Sequence, residues 1–427
     1  MAEHDTLSAF NQCVALGDVV GAEPLAAILA AQHPGSVAVL EAALACNRSL
    51  GRTDRAIWFA RQLLAMDEAH LGAHLALLDG RALEGDPGAE LASRTHLALA
   101  PTGTLHPLRR LHEAHRAISL HLLRQHAAPA ALAALVAAAR GVDPDALPEG
   151  EARHWARHYR HLCEAADPAF LSCVPPKQTS GRQTTEARLA FVVAADTAYV
   201  RLYGRAFLTS ILRECDVPAL IVLHVIGGAA TLPDIIRLLD LPDPRIRFSA
   251  DDFSADAVTT QCHDSDGPRR LPVAHLQCAR FAAARRIMQE LGIPVIVSDI
   301  DVVLQRGVRD MLDRFTGEDI VLNRNAGSQA FGSHLTANLL LAFPTAGGHA
   351  YLAGLEAYLQ ATLAAPHVTR WIDQCGLQAC WNASDARFGW FDTASDINNV
   401  MYPRYAPNPF RFLSLFHGFD MASLPDH

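Results

Sequence analysis

The sequence predicts an α/β protein with a doubly wound sheet in its second half and a separate all-helical region in its first half. Two observations lead to this prediction. In the second half, short β-branched and apolar runs alternate with amphipathic stretches of helical length, as in a sheet covered by helices. In the first half, from about residue 7 to residue 166, apolar residues recur at helical spacing and β-branched runs are almost absent.

Length and composition favour two domains and exclude several functions. The chain has 427 residues, of which 50% are hydrophobic, so it can bury more than one core. Its formal net charge is −9 and Lys177 is its only lysine, so a basic surface for nucleic acid is not expected. No apolar run approaches the ~18 residues needed to cross a bilayer, and the first residues lack the basic start of a signal peptide. A cytoplasmic location is therefore expected.

The helical region contains a repeat of 34 residues. Gly17, Gly51 and Gly85 are each 34 positions apart, and small residues and leucines recur in phase with them. This is the period of tetratricopeptide repeats, in which helix pairs stack. We expect a tetratricopeptide-like array within an all-helical domain of residues 1–166; the alternative is an irregular alanine-rich domain. Stacked pairs form a concave surface for another chain, so the expected partner is an acceptor protein, a scaffold protein or a second copy.

A linker is predicted at residues 167–187, where prolines, glycine and small polar residues replace the helical pattern. The α/β domain is then expected over residues 188–427. Its strands are predicted at residues 189–194, 219–225, 245–249, 293–297 and 319–322, and its helices at residues 203–212, 232–239, 273–291 and 308–315. The G-x-G-x-x-G and Walker motifs are absent, so neither a nicotinamide cofactor nor P-loop phosphate binding is predicted.

Two carboxylates, Asp299 and Asp301, follow the apolar strand predicted at residues 293–297. An ionised carboxylate is costly to bury without a partner, so this pair indicates a sheet edge, a bound cation, or both. Open α/β sheets bind ligands at the carboxyl ends of their strands. A divalent ion that prefers oxygen ligands, Mn²⁺ or Mg²⁺, would suit the pair together with substrate phosphates. The alternative is a structural turn, because aspartates also cap helices and turns.

Cysteines and histidines show no familiar metal-binding spacing. The nine cysteines include no C-x-x-C pair, and we expect free thiols. Cys262-His263 and the pair Cys375 and Cys380 match no common structural zinc site. The 21 histidines form no H-E-x-x-H motif, so most are expected on solvated helix faces.

The second half resembles the GT-A glycosyltransferases, in particular the glycogenin-like and bacterial lipooligosaccharide glycosyltransferase-like families. The residues that carry the resemblance are the D-x-D of Asp299 and Asp301, the sequence Ala194-Ala195-Asp196-Thr197-Ala198-Tyr199, the sequence Ala279-Arg280-Phe281, the apolar run around Asn338, and Trp371-Ile372-Asp373-Gln374. The resemblance implies a doubly wound mixed sheet and a nucleotide-sugar donor. It also implies a strand at residues 336–343, under the donor sugar, and a helix after it at residues 348–361. Ile372 departs from it where glycine is common, and Gly418-Phe419-Asp420 is not followed by lysine-proline-tryptophan.

The resemblance implies a metal site and a donor site. Asp301 would bind the metal directly, Asp299 would contact the ribose and a metal-bound water, and His417 would complete the metal ligands. The donor would be held by Asp196, Thr197, Tyr199, Arg280, or less favourably Arg201, and Asn338. Asp373 and Gln374 would face the reacting sugar, which favours retention of the anomeric configuration.

Each of these residues also has a purely structural interpretation. Asp196 and Thr197 can cap a helix, Arg280 can be a solvated helix residue, and Asp373 can begin a helix. A histidine such as His417 is more often a core residue than a ligand.

The sequence thus predicts a metal-dependent glycosyltransferase whose helical repeats help to present the acceptor. One alternative is a nucleotidyltransferase of sugar phosphates, which also uses paired aspartates and a metal. It is weaker because such enzymes usually have a glycine-rich basic loop where this chain has Asp196-Thr197-Ala198-Tyr199. The other alternative is a non-catalytic, repeat-based interaction protein whose second domain only binds nucleotide.

Overall fold

The computed structural model describes residues 3–123, 128–168, 186–263, 273–325, 327–397 and 410–415. It confirms the predicted class: the first half is helical and the second half is mixed α/β. Contacts divide the chain into two compact units, residues 1–121 with 134–147, and residues 122–133 with 148–427. The domain limits at residues 166 and 188 stay predictions. None of the described helices is long and apolar enough to cross a membrane.

The helices of the first half follow one another as packed hairpins. They are α1 (Glu3–Ala15), α2 (Val19–Gln32), α3 (Val37–Ser49), α4 (Thr53–Met66), α5 (Leu71–Asp79), α6 (Pro87–Ala98), α7 (Pro107–Leu123) and α8 (Pro129–Arg140). From α1 to α6, each helix packs against the next. Helices α1, α3 and α5 begin at residues 3, 37 and 71, and helices α2, α4 and α6 begin at residues 19, 53 and 87. Both series advance by 34 residues, in agreement with the glycine spacing.

The repeated glycines have a conformational reason. Gly17, Gly51 and Gly85 have φ angles of +70°, +66° and +91°, in the left-handed region that favours glycine. Gly17 and Gly51 lie in the tight turns within the first two hairpins, and Gly85 precedes α6. The residues that recur in phase with them are buried: Ala22, Ala26, Leu29, Ala56, Ala60, Leu63 and Leu97. The period therefore marks turns and core positions, while the tetratricopeptide assignment stays a prediction.

The second unit contains a seven-stranded sheet, two small sheets and the helices that cover them. Its helices are α9 (Glu151–Ala165), α10 (Thr197–Glu214), α11 (Leu232–Leu239), α12 (Val273–Leu291), α13 (Arg309–Arg314), α14 (Ala346–Leu363) and α15 (Ile372–Ala383). Its strands are β1 (Leu189–Asp196), β2 (Ala219–Ile226), β3 (Ile246–Ala250), β4 (Gln261–His263), β5 (Val295–Ser298), β6 (Val302–Leu304), β7 (Ile320–Arg324), β8 (Leu335–Ala342), β9 (His367–Thr369), β10 (Phe388–Trp390) and β11 (Phe412–Ser414).

The large sheet has the strand order β10-β7-β8-β5-β1-β2-β3. All neighbouring strands are parallel except β8, which runs antiparallel to both β5 and β7, so the predicted mixed sheet is confirmed. Strand β5 is completely buried, in agreement with its apolar residues Val295, Ile296 and Val297. The two small sheets pair β6 with β11, antiparallel, and β4 with β9, parallel.

Candidate functional site

The candidate site lies where the strand order of the sheet reverses. From β1 the chain proceeds outward to β2 and β3 on one side, whereas β5 lies on the other side of β1. Asp196 ends β1, and Asp299 directly follows β5. Because β8 is antiparallel, its beginning lies at the same edge, and the backbone N–H of Asp299 donates to the carbonyl of Asn338 at 3.2 Å. Such a switch point is the usual ligand-binding edge of an open α/β sheet.

Arg280 joins two acidic residues from separate elements. Its guanidinium lies 2.9 Å from Oδ1 of Asp299 and 3.2 Å from Oδ2 of Asp373, and Nη2 also donates to the carbonyl of Ala337 at 3.0 Å. The residue is only 4% exposed, so the solvated interpretation is wrong. It lies in the middle of α12. The alternative, Arg201, is exposed on α10.

Asp373 is buried in the first turn of α15, with 2% of its surface exposed. Burial raises the pKa of its carboxyl to about 6, against the opposing effect of Arg280. Its Oδ1 accepts the backbone N–H of Gln374 at 2.8 Å. Asp373 therefore lies at the beginning of a helix, as the structural interpretation of this residue expected. It is also one of the two carboxylates that Arg280 binds.

Asp301 has a different environment from Asp299. Burial, and secondarily the nearby charge of Asp299, raise the pKa of Asp301 to about 7. In the described part of the chain, no basic side chain forms a salt bridge with Asp301, while Asp299 has Arg280. A carboxylate whose charge is this unfavourable would be stabilised by a cation. Two carboxylates are ligands that a divalent ion prefers, and such an ion commonly takes its other oxygen ligands from substrate and water. Among the described residues, no third ligand group clusters with the pair.

The residues after β1 lie within the electrostatic field of this acidic pair. Asp196 is the N-cap of α10, and its carboxylate accepts the backbone N–H of Tyr199 at 2.8 Å, so its capping role is confirmed. Thr197 is the first residue of that helix. Tyr199 is 37% exposed, and its pKa is raised by burial and then by the charges of Asp301 and Asp196. The aromatic ring thus stands near the D-x-D.

Two amide side chains fix the start of β8. Oδ1 of Asn338 accepts from Nδ2 of Asn323, a completely buried residue of β7, at 2.8 Å. The Gln374 amide, with its nitrogen facing the preceding loop, donates to the carbonyls of Gly332 and Leu335, both at 2.9 Å. Gln374 therefore holds the loop that leads into β8.

The sequence analysis did not identify Asn323 and Arg370, and the structure does not test His417. Asn323 lies in an apolar strand, and the sequence alone does not show that this strand pairs with β8, which carries its hydrogen-bond partner Asn338. The positive charge of Arg370 acts against the rise in the pKa of Tyr199, so this arginine lies within electrostatic reach of the tyrosine. His417 lies outside the described residues. The structure thus brings Asp299, Asp301, Arg280, Asp373 and Asn338 together, with Asp196 and Tyr199 beside them.

The chain is similar to several solved glycosyltransferase structures, at low identity. Mouse xyloside xylosyltransferase 1 is 13% identical, with a TM-score of 0.31, over 50% of this chain and 87% of that protein. The galactosyltransferase LgtC, solved with donor and acceptor sugar analogues, is 12% identical, with a TM-score of 0.33, over 53% and 86%. A Thermobaculum terrenum O-GlcNAc transferase is 17% identical, with a TM-score of 0.18, over 66% and 44%. No protein-family model and no curated protein matches the sequence. At these values the function must be inferred from the residues of the site.

Proposed function

We propose that this chain is a metal-dependent glycosyltransferase that transfers a sugar from a nucleotide-sugar to an acceptor. The observation that carries the proposal is the pair Asp299 and Asp301 at the switch point of the sheet. Asp299 is held by the buried Arg280, while Asp301 is half-buried without a salt-bridge partner among the described residues. Such a pair is suited to an ion that also binds the phosphates of a nucleotide.

Asp299 and Asp301 would hold Mn²⁺ or Mg²⁺, and the bound ion would neutralise the charge that develops on a departing nucleoside diphosphate. In this proposal Tyr199 stacks on the base and Asp196, beside it, accepts from the ribose. Asn338, which accepts a hydrogen bond from Asn323, would lie under the donor sugar. His417 is kept as a proposed third ligand.

Arg280, Asp373 and Gln374 would shape the site around the donor. Arg280 shares its charge between Asp299 and Asp373, so it fixes the first carboxylate of the D-x-D against α15. Gln374 holds the loop before β8 by two hydrogen bonds. The expectation that Asp373 and Gln374 face the reacting sugar stays a prediction, and their contacts favour a role in positioning.

The experiment is a screen of nucleotide-sugars for hydrolysis by the full chain, with Mn²⁺, with Mg²⁺ and with a chelator. We expect one nucleotide-sugar to be hydrolysed only with metal. Asp301→Asn should reduce the rate at least 100-fold, since the loss of ~3 kcal/mol of charge stabilisation in the transition state corresponds to about that factor. Asp234→Asn makes the same chemical change at a 63%-exposed side chain of α11 and should leave the rate unchanged. Equal rates for both variants would contradict the proposal.

The rival functions predict different products. A nucleotidyltransferase would release pyrophosphate from a nucleoside triphosphate and a sugar phosphate, and would leave nucleotide-sugars intact. A non-catalytic protein would bind nucleotide without turnover of any substrate. Strand β1 ends at Asp196 and α10 begins at the next residue. The chain therefore lacks, at this point, the glycine-rich basic loop expected of a nucleotidyltransferase.

We also propose that the helical unit binds the acceptor, and that this acceptor is a protein. Trp58 on α4 is 55% exposed, and tryptophan is among the residues enriched in protein–protein interfaces. Trp58→Ala should lower labelling of cellular proteins by a radioactive nucleotide-sugar without changing its hydrolysis. Unchanged labelling would contradict this docking role, and a change in molecular mass by light scattering would indicate self-association instead.

A further inference from the structure

Three histidines from distant parts of the second unit converge on one point. His161 lies in α9, His263 ends β4 and His367 begins β9. One ring nitrogen of each lies within 4.8 Å of the others. His263 and His161 are 2% and 8% exposed, and His367 is half-buried. No sequence motif connects the three, since they are about a hundred residues apart.

The spacing of the rings is that of a tetrahedral metal site. With metal–nitrogen bonds of about 2.0–2.1 Å, two ligand nitrogens of a tetrahedron are about 3.3–3.4 Å apart, and the ring centroids are about 5 Å apart. Nε2 of His263 lies 3.3 Å from Nδ1 of His367. The three pairs of ring centroids are separated by 4.9, 5.2 and 5.4 Å. All three ligand nitrogens lie within 4.8 Å of one another, so no pair exceeds the tetrahedral separation by more than about 1.4 Å.

One acidic and two basic side chains surround the three imidazoles. Glu164 lies 3.2 Å from Nδ1 of His161, a contact that orients the ring and leaves Nε2 for a cation. Arg157 and Arg160 add positive charge nearby and act against a cation, and Glu164 offsets part of that effect.

We propose that His161, His263 and His367 bind a transition-metal cation, with Zn²⁺ the best match to three imidazoles and a fourth position open to water. This site is separate from the D-x-D and does not depend on the proposed function. Its ligands come from α9, β4 and β9, so the cation would cross-link a helix to the small parallel sheet.

The position of the cluster suggests what the cation does for the fold. The backbone N–H of Arg370, directly after β9, donates to the carbonyl of His263 at 2.8 Å. Three residues later the chain reaches Asp373, which Arg280 holds in the candidate site. A cation on His263 and His367 would therefore fix the segment that enters α15.

The test is a titration of the metal-stripped full chain with Co²⁺, followed by visible absorption, together with metal analysis of the purified protein. We expect one equivalent of Zn²⁺ after purification and the intense absorption of tetrahedral Co²⁺. His367→Ala should abolish both, and Glu164→Gln should weaken Co²⁺ binding about 10- to 100-fold. Asp301→Asn should leave both unchanged, which separates this site from the D-x-D.

The matched control is His349→Ala, which removes a partly buried histidine of α14 outside the cluster. It should retain the metal and the absorption. If the wild-type chain shows no tetrahedral Co²⁺ spectrum and no bound metal, the proposal is overturned, and His263 and His367 share only a hydrogen bond. If His367→Ala binds Co²⁺ as tightly as the wild type, the ligand assignment is likewise overturned. The titration of the wild-type chain tests the proposed metal site even if one of the variants folds poorly.

Discussion

Replacing Arg280 with methionine tests whether the buried guanidinium holds the site together. The change leaves Asp299 and Asp373 without the cation that now lies 2.9 and 3.2 Å from them. At an effective dielectric constant of about 20, unit charges at these distances attract by about 6 and 5 kcal/mol before desolvation is counted. Desolvation offsets much of this attraction, and removing one partner of a buried pair typically costs about 3–5 kcal/mol. We expect a loss of that size in the free energy of unfolding of the second unit.

Urea unfolding followed by tryptophan fluorescence measures this loss. Four of the five tryptophans lie in the second unit, so fluorescence reports mainly on that unit, while circular dichroism reports on both. Arg237→Met is the control: Arg237 is 77% exposed and pairs with Asp234 on the surface of α11, so its removal should change stability by less than about 1 kcal/mol. Asp373→Asn, alone and combined with Arg280→Met, completes a double-mutant cycle.

The penalty should also depend on pH in a defined direction. Asp373 already has a folded-state pKa of about 6, above its value of about 3.9 in an unfolded chain, and loss of Arg280 raises the folded pKa further. A carboxyl with a raised folded pKa costs stability as pH rises through that pKa. Arg280→Met should therefore be more destabilising at pH 8 than at pH 5. A loss below about 1 kcal/mol at pH 8, or a coupling energy near zero, would refute the buried ion-pair network.

Three further outcomes are expected. With metal removed, the stability of the second unit should fall as pH rises from about 4 through about 7, because the folded pKa of Asp301 is about 7. Asp301→Asn should flatten this dependence of stability on pH. An unchanged dependence would contradict the burial of that charge. Gln374→Ala removes two hydrogen bonds to the loop before β8, so nucleotide-sugar hydrolysis should be slower while its metal dependence is retained; wild-type rates would show that the loop needs no such support. Gly51→Ala should destabilise the helical unit by about 1 kcal/mol in circular-dichroism melts, because the φ angle of Gly51 is +66°. Gly35→Ala, at an open position without a positive φ, should leave the melt unchanged. Equal effects of the two variants would contradict the conformational explanation of the repeat.

The parts of the fold that sequence predicts well are those with long, regular patterns. The 34-residue spacing of Gly17, Gly51 and Gly85 matches helix starts at the same interval, because each glycine occupies a turn that requires a positive φ. The helix predicted at residues 273–291 agrees with α12 in both bounds. The strand before Asp299 is equally clear, since an unbroken β-branched run must be buried on both faces.

The parts that sequence misses depend on contacts between distant residues. The strands β4, β6, β9 and β11 have three residues each, too few for any period to be read. Arg280 has charged neighbours in its own helix and looks solvated, and only the pairing of α12 with Asp299 and Asp373 places it in the interior. The three-histidine cluster likewise exists only after folding, because its members come from three separate elements.

The most direct test of the proposed function is the melting temperature of the full chain with Mn²⁺ and a panel of nucleoside diphosphates. A ligand that binds only the folded state raises stability by about 2.7 kcal/mol at 100 times its dissociation constant. We expect one nucleoside diphosphate to raise the melting temperature only when Mn²⁺ is present, and Asp301→Asn to abolish that rise while Asp234→Asn retains it. If no nucleotide produces a metal-dependent shift, or if Asp301→Asn shifts as the wild type does, the D-x-D of this chain is not a metal and donor site.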